Sequence, residues 1–189
     1  VILFVTRQAT TAGRVGRVLI GLGLMLLALE MVVQASGPML SSPIIKAMLT
    51  SMNSDIVMEL FMGCILAVMA YSSLAIVLLI SAMAASNVVP LDVALGLVLG
   101  ANLGSGLLAI MTTAKSSVEV RQVTVGNLMF KVLGVIIMTP FIGAWMKYIQ
   151  PLLPSAAGGV VMFHLAYNVI ISVGFIGFTQ WVADLMTRL

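Results

Sequence analysis

Polar residues occur at two places inside otherwise apolar stretches of the sequence. One is Ser72-Ser73, near the middle of the run 57–89, and the other is the segment 100–106. Hydroxyl and amide groups bind ions without a permanently buried charge, and unwound backbone offers N–H groups to an anion or carbonyl oxygens to Na+. We therefore predict a substrate and ion site, with Na+ at Ser72, Ser73 and Asn102, formed by Ser72, Ser73, Asn102, Gly104, Ser105 and Gly106.

Two charged residues and one histidine also fall inside apolar stretches. Glu30 and Lys131 are costly to place in lipid, which indicates either a function or a mutual intramembrane charge pair. The alternative is that each side chain extends to a membrane interface. His164 and Asn168 share one helical face because they are four residues apart. His164 is either a proton relay or, more commonly, a histidine hydrogen-bonded between helices.

The composition excludes most soluble classes of protein. Hydrophobic residues make up 61% of the 189 residues and charged residues 8%, with a mean hydropathy of +1.21. Soluble domains carry about 25% charged residues, so we predict an all-α integral membrane protein without nucleic-acid partners. Cys64 alone forms neither an internal disulfide nor a thiolate metal cluster. No paired carboxylates, nucleophile–base pair or P-loop occurs in the sequence, so no enzyme, cofactor or zinc site is predicted.

The candidate site residues must be positioned by membrane segments. The apolar runs predict spans at 18–36, 123–145 and 158–182. A straight helix over 57–89 would be about 50 Å long, more than the bilayer core requires, so we predict a re-entrant hairpin that turns at 70–73. Glycines 100, 104 and 106 weaken a helix, which predicts a broken helix over about 91–112. Small-residue helix packing is the alternative for these glycines, whereas Asn102 between them favours a site.

The distribution of basic residues favours the hairpin over a single span. With a hairpin, six basic residues share one face and two take the other, whereas a single span gives four against four. The positive-inside rule selects the uneven arrangement, with the N-terminal arginines cytoplasmic. The six are Arg7, Arg14, Arg17, Lys115, Arg121 and Arg188, and the two are Lys46 and Lys147.

Several segments resemble the bacterial sodium/phosphate cotransporter family, which is related to the animal type II carriers. The resemblance is carried in order by Gly21-Leu22-Gly23-Leu24 through Glu30, by Leu99-Gly100-Ala101-Asn102-Leu103-Gly104-Ser105, and by the segments 126–134 and 164–169. Tyr71-Ser72-Ser73 departs from the family's Q-S-S-S hairpin, and Lys131 replaces the usual Asn. The pattern is similar to the second repeat of the branch implicated in phosphate export.

The resemblance implies one half of an inverted-repeat transporter in a bacterial inner membrane. Residues 1–17 are then the end of a preceding helix with a basic linker, and residues 18–189 are the second transmembrane repeat of a longer, multi-pass chain. The first repeat, inorganic phosphate, the lipid bilayer and a PhoU-like regulatory domain are the expected partners, with Na+ as the coupling ion. The segments 127–132 and 164–169 also echo each other, which suits a structural repeat.

The sequence leaves two other functions open. One is a non-transporting membrane assembly or receptor subunit, in which the glycines and serines only pack helices. The other is a carrier of another oxyanion or of a dicarboxylate. The expected function remains phosphate transport by alternating access at a midplane site, in either direction.

Overall fold

All regular elements among the described residues are helical. A computed structural model describes residues 10–35 and 55–186, together with the isolated positions 38, 42–44 and 47. The chain divides at Pro38 into two compact units. The first unit contains helix α1, and the second contains helices α2 to α7. The predicted all-α class is therefore confirmed for the part of the chain that the structure describes.

Helix α1 runs from Thr11 to Ala35. It begins seven residues before the predicted span, so Arg14 and Arg17 lie within the helix. The assignment of residues 1–17 to a preceding helix with a basic linker stays a prediction. The Thr10 hydroxyl accepts a hydrogen bond from the amide of Gly13 at 3.3 Å, as expected at a helix start. Residues 1–9 and most of the segment 36–54, including Lys46, lie outside the described residues.

The predicted turn in the apolar run 57–89 is confirmed. Helix α2 (Ile56–Met69) and helix α3 (Ser73–Ala85) flank it. Tyr71 has a left-handed backbone with φ of 51°. The Ser72 hydroxyl accepts from the amide of Ala75 at 3.2 Å and so caps α3. That the two helices enter and leave the membrane on the same face stays a prediction.

The predicted break in the segment 91–112 is wrong. Helix α4 runs without interruption from Leu91 to Thr113, and Gly100, Asn102 and Gly104 are buried within it. Three glycines cost about 3 kcal/mol of helix propensity in total, whereas each unsatisfied backbone group in lipid costs several kcal/mol. Keeping the helix intact is therefore cheaper than breaking it, particularly since the glycines permit close packing.

The last two predicted spans are confirmed as helices and extend beyond the predicted bounds. Helix α5 (Val118–Met138) continues past Pro140 through short helical turns to Leu152. Helix α6 (Ala156–Phe175) continues through the 3-10 turn Ile176–Phe178 into helix α7 (Thr179–Met186). Three continuous stretches among the described residues are long and apolar enough to cross a membrane: Leu91–Thr113, Val118–Leu152 and Ala156–Met186.

Helix α4 lies at the centre of the second unit and contacts α2, α3, α5 and α6. Its glycines bring the backbone of α2 close: a Cβ at Gly100 would overlap the Leu60 carbonyl oxygen, and one at Gly104 would lie 2.5 Å from the Cys64 carbonyl oxygen. Gly63 of α2 approaches the carbonyl of Leu97 in the same way. This small-residue contact fixes α4, and thereby the orientation of its opposite, polar side chains.

Candidate functional site

Three apolar helices bring polar side chains together inside the second unit. Asn102 and Ser105 are three residues apart on α4, Lys131 lies on α5, and His164 and Asn168 are four residues apart on α6. Both spacings place the paired residues on one side of a helix. The five residues form the polar cluster described below.

The amides of Asn102 and Asn168 form a hydrogen-bond network around His164. Asn102 is only 1% exposed. Its Nδ2 donates to the Val98 carbonyl at 2.9 Å and lies 3.3 Å from His164 Nδ1. Asn168 Nδ2 donates to Asn102 Oδ1 at 3.2 Å and to the His164 carbonyl at 2.8 Å. When the imidazole proton of His164 is on Nε2, Nδ1 can accept a hydrogen bond from Asn102. In that tautomer both hydrogens of each amide have partners.

Ser105 connects this network to Lys131. The Ser105 hydroxyl donates to the Asn102 backbone carbonyl at 2.7 Å. The Lys131 ammonium donates to the same hydroxyl oxygen. Tyr167 of α6 also bonds to α5, since its hydroxyl donates to the Lys131 carbonyl at 2.9 Å. A cationic group is thus held in place at the edge of a neutral amide network.

A cavity of about 220 Å³ adjoins the polar cluster between α5 and the α6–α7 segment. Lys131 and Asn168 belong to both the cluster and the cavity wall. The other polar residues of the wall are Asn127, Ser172 and Thr179, and the apolar ones are Phe130, Tyr167, Ile171, Phe175 and Ile176. Lys131 and Asn168 therefore connect the polar cluster to a cavity that is large enough for a small polar solute.

The structure brings together some of the predicted site residues and not others. Asn102, Ser105 and Lys131 lie in the polar cluster. Ser72 and Ser73 lie at the hairpin turn, and neither bonds to the cluster among the described hydrogen bonds. Gly104 packs on α2 and Gly106 on Leu128 and Lys131 of α5. Since α4 is intact, no helix break frees backbone groups at these glycines, and an ion-binding role for them stays a prediction.

The predicted pair between Glu30 and Lys131 also stays a prediction. In the first unit, the Glu30 carboxylate accepts a hydrogen bond from Gln34 Nε2 at 3.3 Å. In the second unit, the described partner of the Lys131 ammonium is the neutral Ser105 hydroxyl. Each charge therefore has a neutral hydrogen-bond partner within its own unit.

His164 and Asn168 are functional candidates that the sequence prediction did not place in the site. The interpretation of His164 as a histidine hydrogen-bonded between helices is confirmed by its contact with Asn102. The signal that could have found both residues is the echo between 127–132 and 164–169. It marks polar pairs at the same spacing on two helices that turn out to line one cavity.

The chemistry available at the cluster is hydrogen bonding and charge attraction, not metal coordination by anionic ligands. In the ranges 10–35 and 55–186, no group of three or more His, Cys, Asp or Glu side chains is placed to hold a metal ion. Amide and hydroxyl groups with one ammonium are suited to an anion with several acceptor oxygens. Neutral oxygen atoms at Ser72, Ser73 and Asn102 remain the candidates for Na+.

Long apolar helices packed around polar side chains are the architecture of an α-helical membrane protein. A family model described as Na+/Pi-cotransporter matches residues 36–177. The chain belongs to this family, as the sequence resemblance predicted.

The chain is similar to curated relatives that are named YjbB. Their description proposes that they export inorganic phosphate. The relative from Salmonella typhimurium (strain LT2) is 37% identical over 189 residues, which is 100% of this chain and 35% of that protein. The relative from Escherichia coli (strain K12) is 41% identical over 170 residues, which is 90% of this chain and 31% of that protein. The chain thus spans about a third of the length of these relatives. No solved structure matches it.

Proposed function

We propose that the full-length protein carries inorganic phosphate across the bacterial inner membrane, as a multi-pass transporter and not as an enzyme. The observation that carries this proposal is the hydrogen-bonded cluster of Asn102, Ser105, Lys131, His164 and Asn168. Asn102 is buried and the other four are partly buried, between helices long enough to span a membrane. Family membership and the phosphate export named in two relatives support it. Export is the direction that we favour.

The proposed site binds phosphate mainly through neutral donors and one ammonium. Charge-assisted hydrogen bonds to an oxyanion are stronger than neutral ones, so a single charge with several amide and hydroxyl groups gives both attraction and orientation. Ser72 joins the proposed site from the hairpin turn. Its oxygen caps α3, and its hydroxyl hydrogen has no acceptor among the described residues, so it is available to a ligand.

The proposed transport cycle needs parts beyond this chain. We propose that α2 and α3 form a re-entrant hairpin and that a first repeat of the same protein supplies the opposite wall of the site. Alternating access then exposes the polar cluster to each side in turn. Na+ is the proposed coupling ion at Ser72, Ser73 and Asn102, and a PhoU-like domain is a proposed regulatory partner.

Labelled-phosphate flux tests the proposal. The full-length protein is reconstituted into lipid vesicles, and uptake and efflux are measured with and without a sodium gradient. We expect phosphate flux that Asn102→Ala abolishes while membrane insertion is unchanged, with flux compared at equal amounts of reconstituted protein. Asn87→Gly is the matched control, because Asn87 lies at a turn with φ of 52° where glycine is well accommodated.

The outcomes separate the candidate functions. Flux of sulfate or a dicarboxylate in place of phosphate would keep transport and replace the cargo. Absence of flux for every anion in both directions would favour a non-transporting assembly. Equal phosphate flux in the Asn102→Ala variant and the unmodified protein would remove the polar cluster from the mechanism.

A further inference from the structure

Lys131 is a charged residue whose described surroundings in the second unit contain no opposite charge. It lies in the candidate span Val118–Leu152 and is partly buried. An ammonium has three hydrogens to donate, and the Ser105 hydroxyl accepts one of them. No carboxylate within residues 55–186 forms a salt bridge with it. A cation at membrane depth is costly without a counter-charge, so an anion bound beside Lys131 would be stabilised.

The adjoining cavity has the lining that an oxyanion requires. Its polar residues carry amide and hydroxyl groups, Lys131 adds a positive charge, and none of the residues that line it is acidic. The Asn127 amide and the Ser172 hydroxyl make no hydrogen bond to another described residue. They can therefore donate to a ligand beside the ammonium. The same charge repels a second cation, which disfavours Na+ in this cavity.

We propose that Lys131 supplies the positive charge that binds the transported oxyanion, in the cavity between α5 and the α6–α7 segment, with Asn127 and Ser172 as additional donors. This inference rests on the proposed function and names the anion subsite within it. The anion takes the two ammonium hydrogens that Ser105 does not use. Through Ser105 and the Asn102 carbonyl, anion binding is connected directly to the amide network of α4 and α6.

Equilibrium binding of labelled phosphate to the purified full-length protein tests this subsite. We expect Lys131→Gln to weaken phosphate binding by about 10- to 100-fold, as for loss of a charged hydrogen-bond donor. Lys131→Arg keeps the charge and is expected to stay within a few-fold of the unmodified protein. Lys147→Gln is the matched control, because Lys147 is an exposed lysine near a tyrosine ring, and it leaves binding unchanged.

Two results would overturn the subsite. One is phosphate affinity within twofold of the unmodified protein in Lys131→Gln. The other is equal weakening in Glu30→Gln and Lys131→Gln with recovery in the double variant, because that pattern identifies an ion pair and not an anion site. Normal phosphate binding in Lys131→Gln leaves the proposed function standing. Binding of sulfate but not phosphate, lost in Lys131→Gln, supports the subsite and contradicts the proposed cargo.

A measurement on the unmodified protein covers the case in which Lys131→Gln does not fold. An amine-acylating reagent is applied with and without saturating phosphate, and labelled peptides are quantified by mass spectrometry. We expect phosphate to slow acylation of Lys131 at least fivefold and to leave the exposed Lys115 and Lys147 unaffected. Equal acylation of Lys131 with and without phosphate would contradict the proposal.

Discussion

The two sides of α4 show opposite ways of placing polar or small residues in an apolar surrounding. On the side facing α2, Gly96, Gly100 and Gly104 repeat every four residues. Gly100 and Gly104 approach the backbone of α2, and Gly96 lies against the Glu59 side chain. On the side facing α5 and α6, Asn102 and Ser105 hold a hydrogen-bond network. One helix therefore combines a packing surface and a polar site within the ten residues 96–105.

The glycines do not break the helix because their cost is offset by packing. Glycine is costly in a helix because it loses more backbone freedom on folding than other residues. Because α2 packs closely against these glycines, dispersion contacts form at each of them. In lipid such contacts are a main source of helix association. The site consists of side chains on a rigid helix, and the glycines stabilise that helix indirectly.

The largest expected effect comes from substituting a glycine on the packing side. Gly100→Ala places a methyl group against the Leu60 carbonyl. We expect it to lower the free energy of unfolding by about 3 kcal/mol, because the two backbones must separate along the whole contact. The measurement is unfolding of the full-length protein in mixed detergent micelles.

Gly174→Ala is the matched control for this prediction. A Cβ at Gly174 meets no atom within 4 Å, so alanine there is expected to be neutral or to stabilise by up to about 1 kcal/mol. Equal effects of the two substitutions would mean that α2 and α4 are not in backbone contact.

The next largest effect belongs to the polar side of α4. Asn102→Ala leaves the Asn168 amide and His164 Nδ1 without their partner. We expect a loss of about 2 kcal/mol in the free energy of unfolding, as for buried polar groups left unpaired. A double-mutant cycle with Asn168→Ala measures the coupling energy between the two asparagines. We expect about 1 kcal/mol for a hydrogen bond in a membrane protein. Fully additive effects would exclude a direct hydrogen bond between the two amides.

The sequence predicts the turn at 70–73 and three of the five residues of the polar cluster for reasons that are local. The turn at Ser72 follows from hydroxyls that compete for backbone hydrogen bonds, and this competition depends only on neighbouring residues. Asn102 and Lys131 are identified because a polar or charged side chain inside an apolar run must have a partner. Neither inference requires knowledge of which helices are neighbours.

The remaining features depend on contacts between distant segments. Whether Gly100 breaks α4 or packs against α2 is decided by a neighbouring backbone that the sequence of α4 does not contain. The joining of His164 to Asn102 likewise depends on the packing of α6 beside α4. Propensity therefore gave the wrong result where tertiary packing outweighed a cost of about 1 kcal/mol for each glycine.

A smaller effect is expected at Glu59, a buried acidic residue where α2 packs against α4. Here we expect the free energy of unfolding to rise and not to fall. Glu59 of α2 is 5% exposed and lies against Gly96, beside Asp92 in the same small cavity. None of the described residues donates a hydrogen bond to its carboxylate. Glu59→Gln removes a desolvated charge next to a like charge, so we expect stabilisation by about 1 kcal/mol. Glu119→Gln, at an exposed glutamate, is the control, and destabilisation by Glu59→Gln would indicate a cationic partner.

The smallest effect is expected at Tyr167, which makes a single hydrogen bond to the backbone of α5. Tyr167→Phe removes the hydroxyl that donates to the Lys131 carbonyl and keeps the ring, which is 1% exposed in the core. We expect a loss of about 0.5–1 kcal/mol in the free energy of unfolding and phosphate flux within twofold, because α5 keeps its other contacts. Tyr148→Phe, at a tyrosine with 62% exposure, is expected to change neither quantity. A flux loss in Tyr167→Phe as large as that in Asn102→Ala would show that the position of α5, and hence of Lys131, controls transport more tightly than the amide network does.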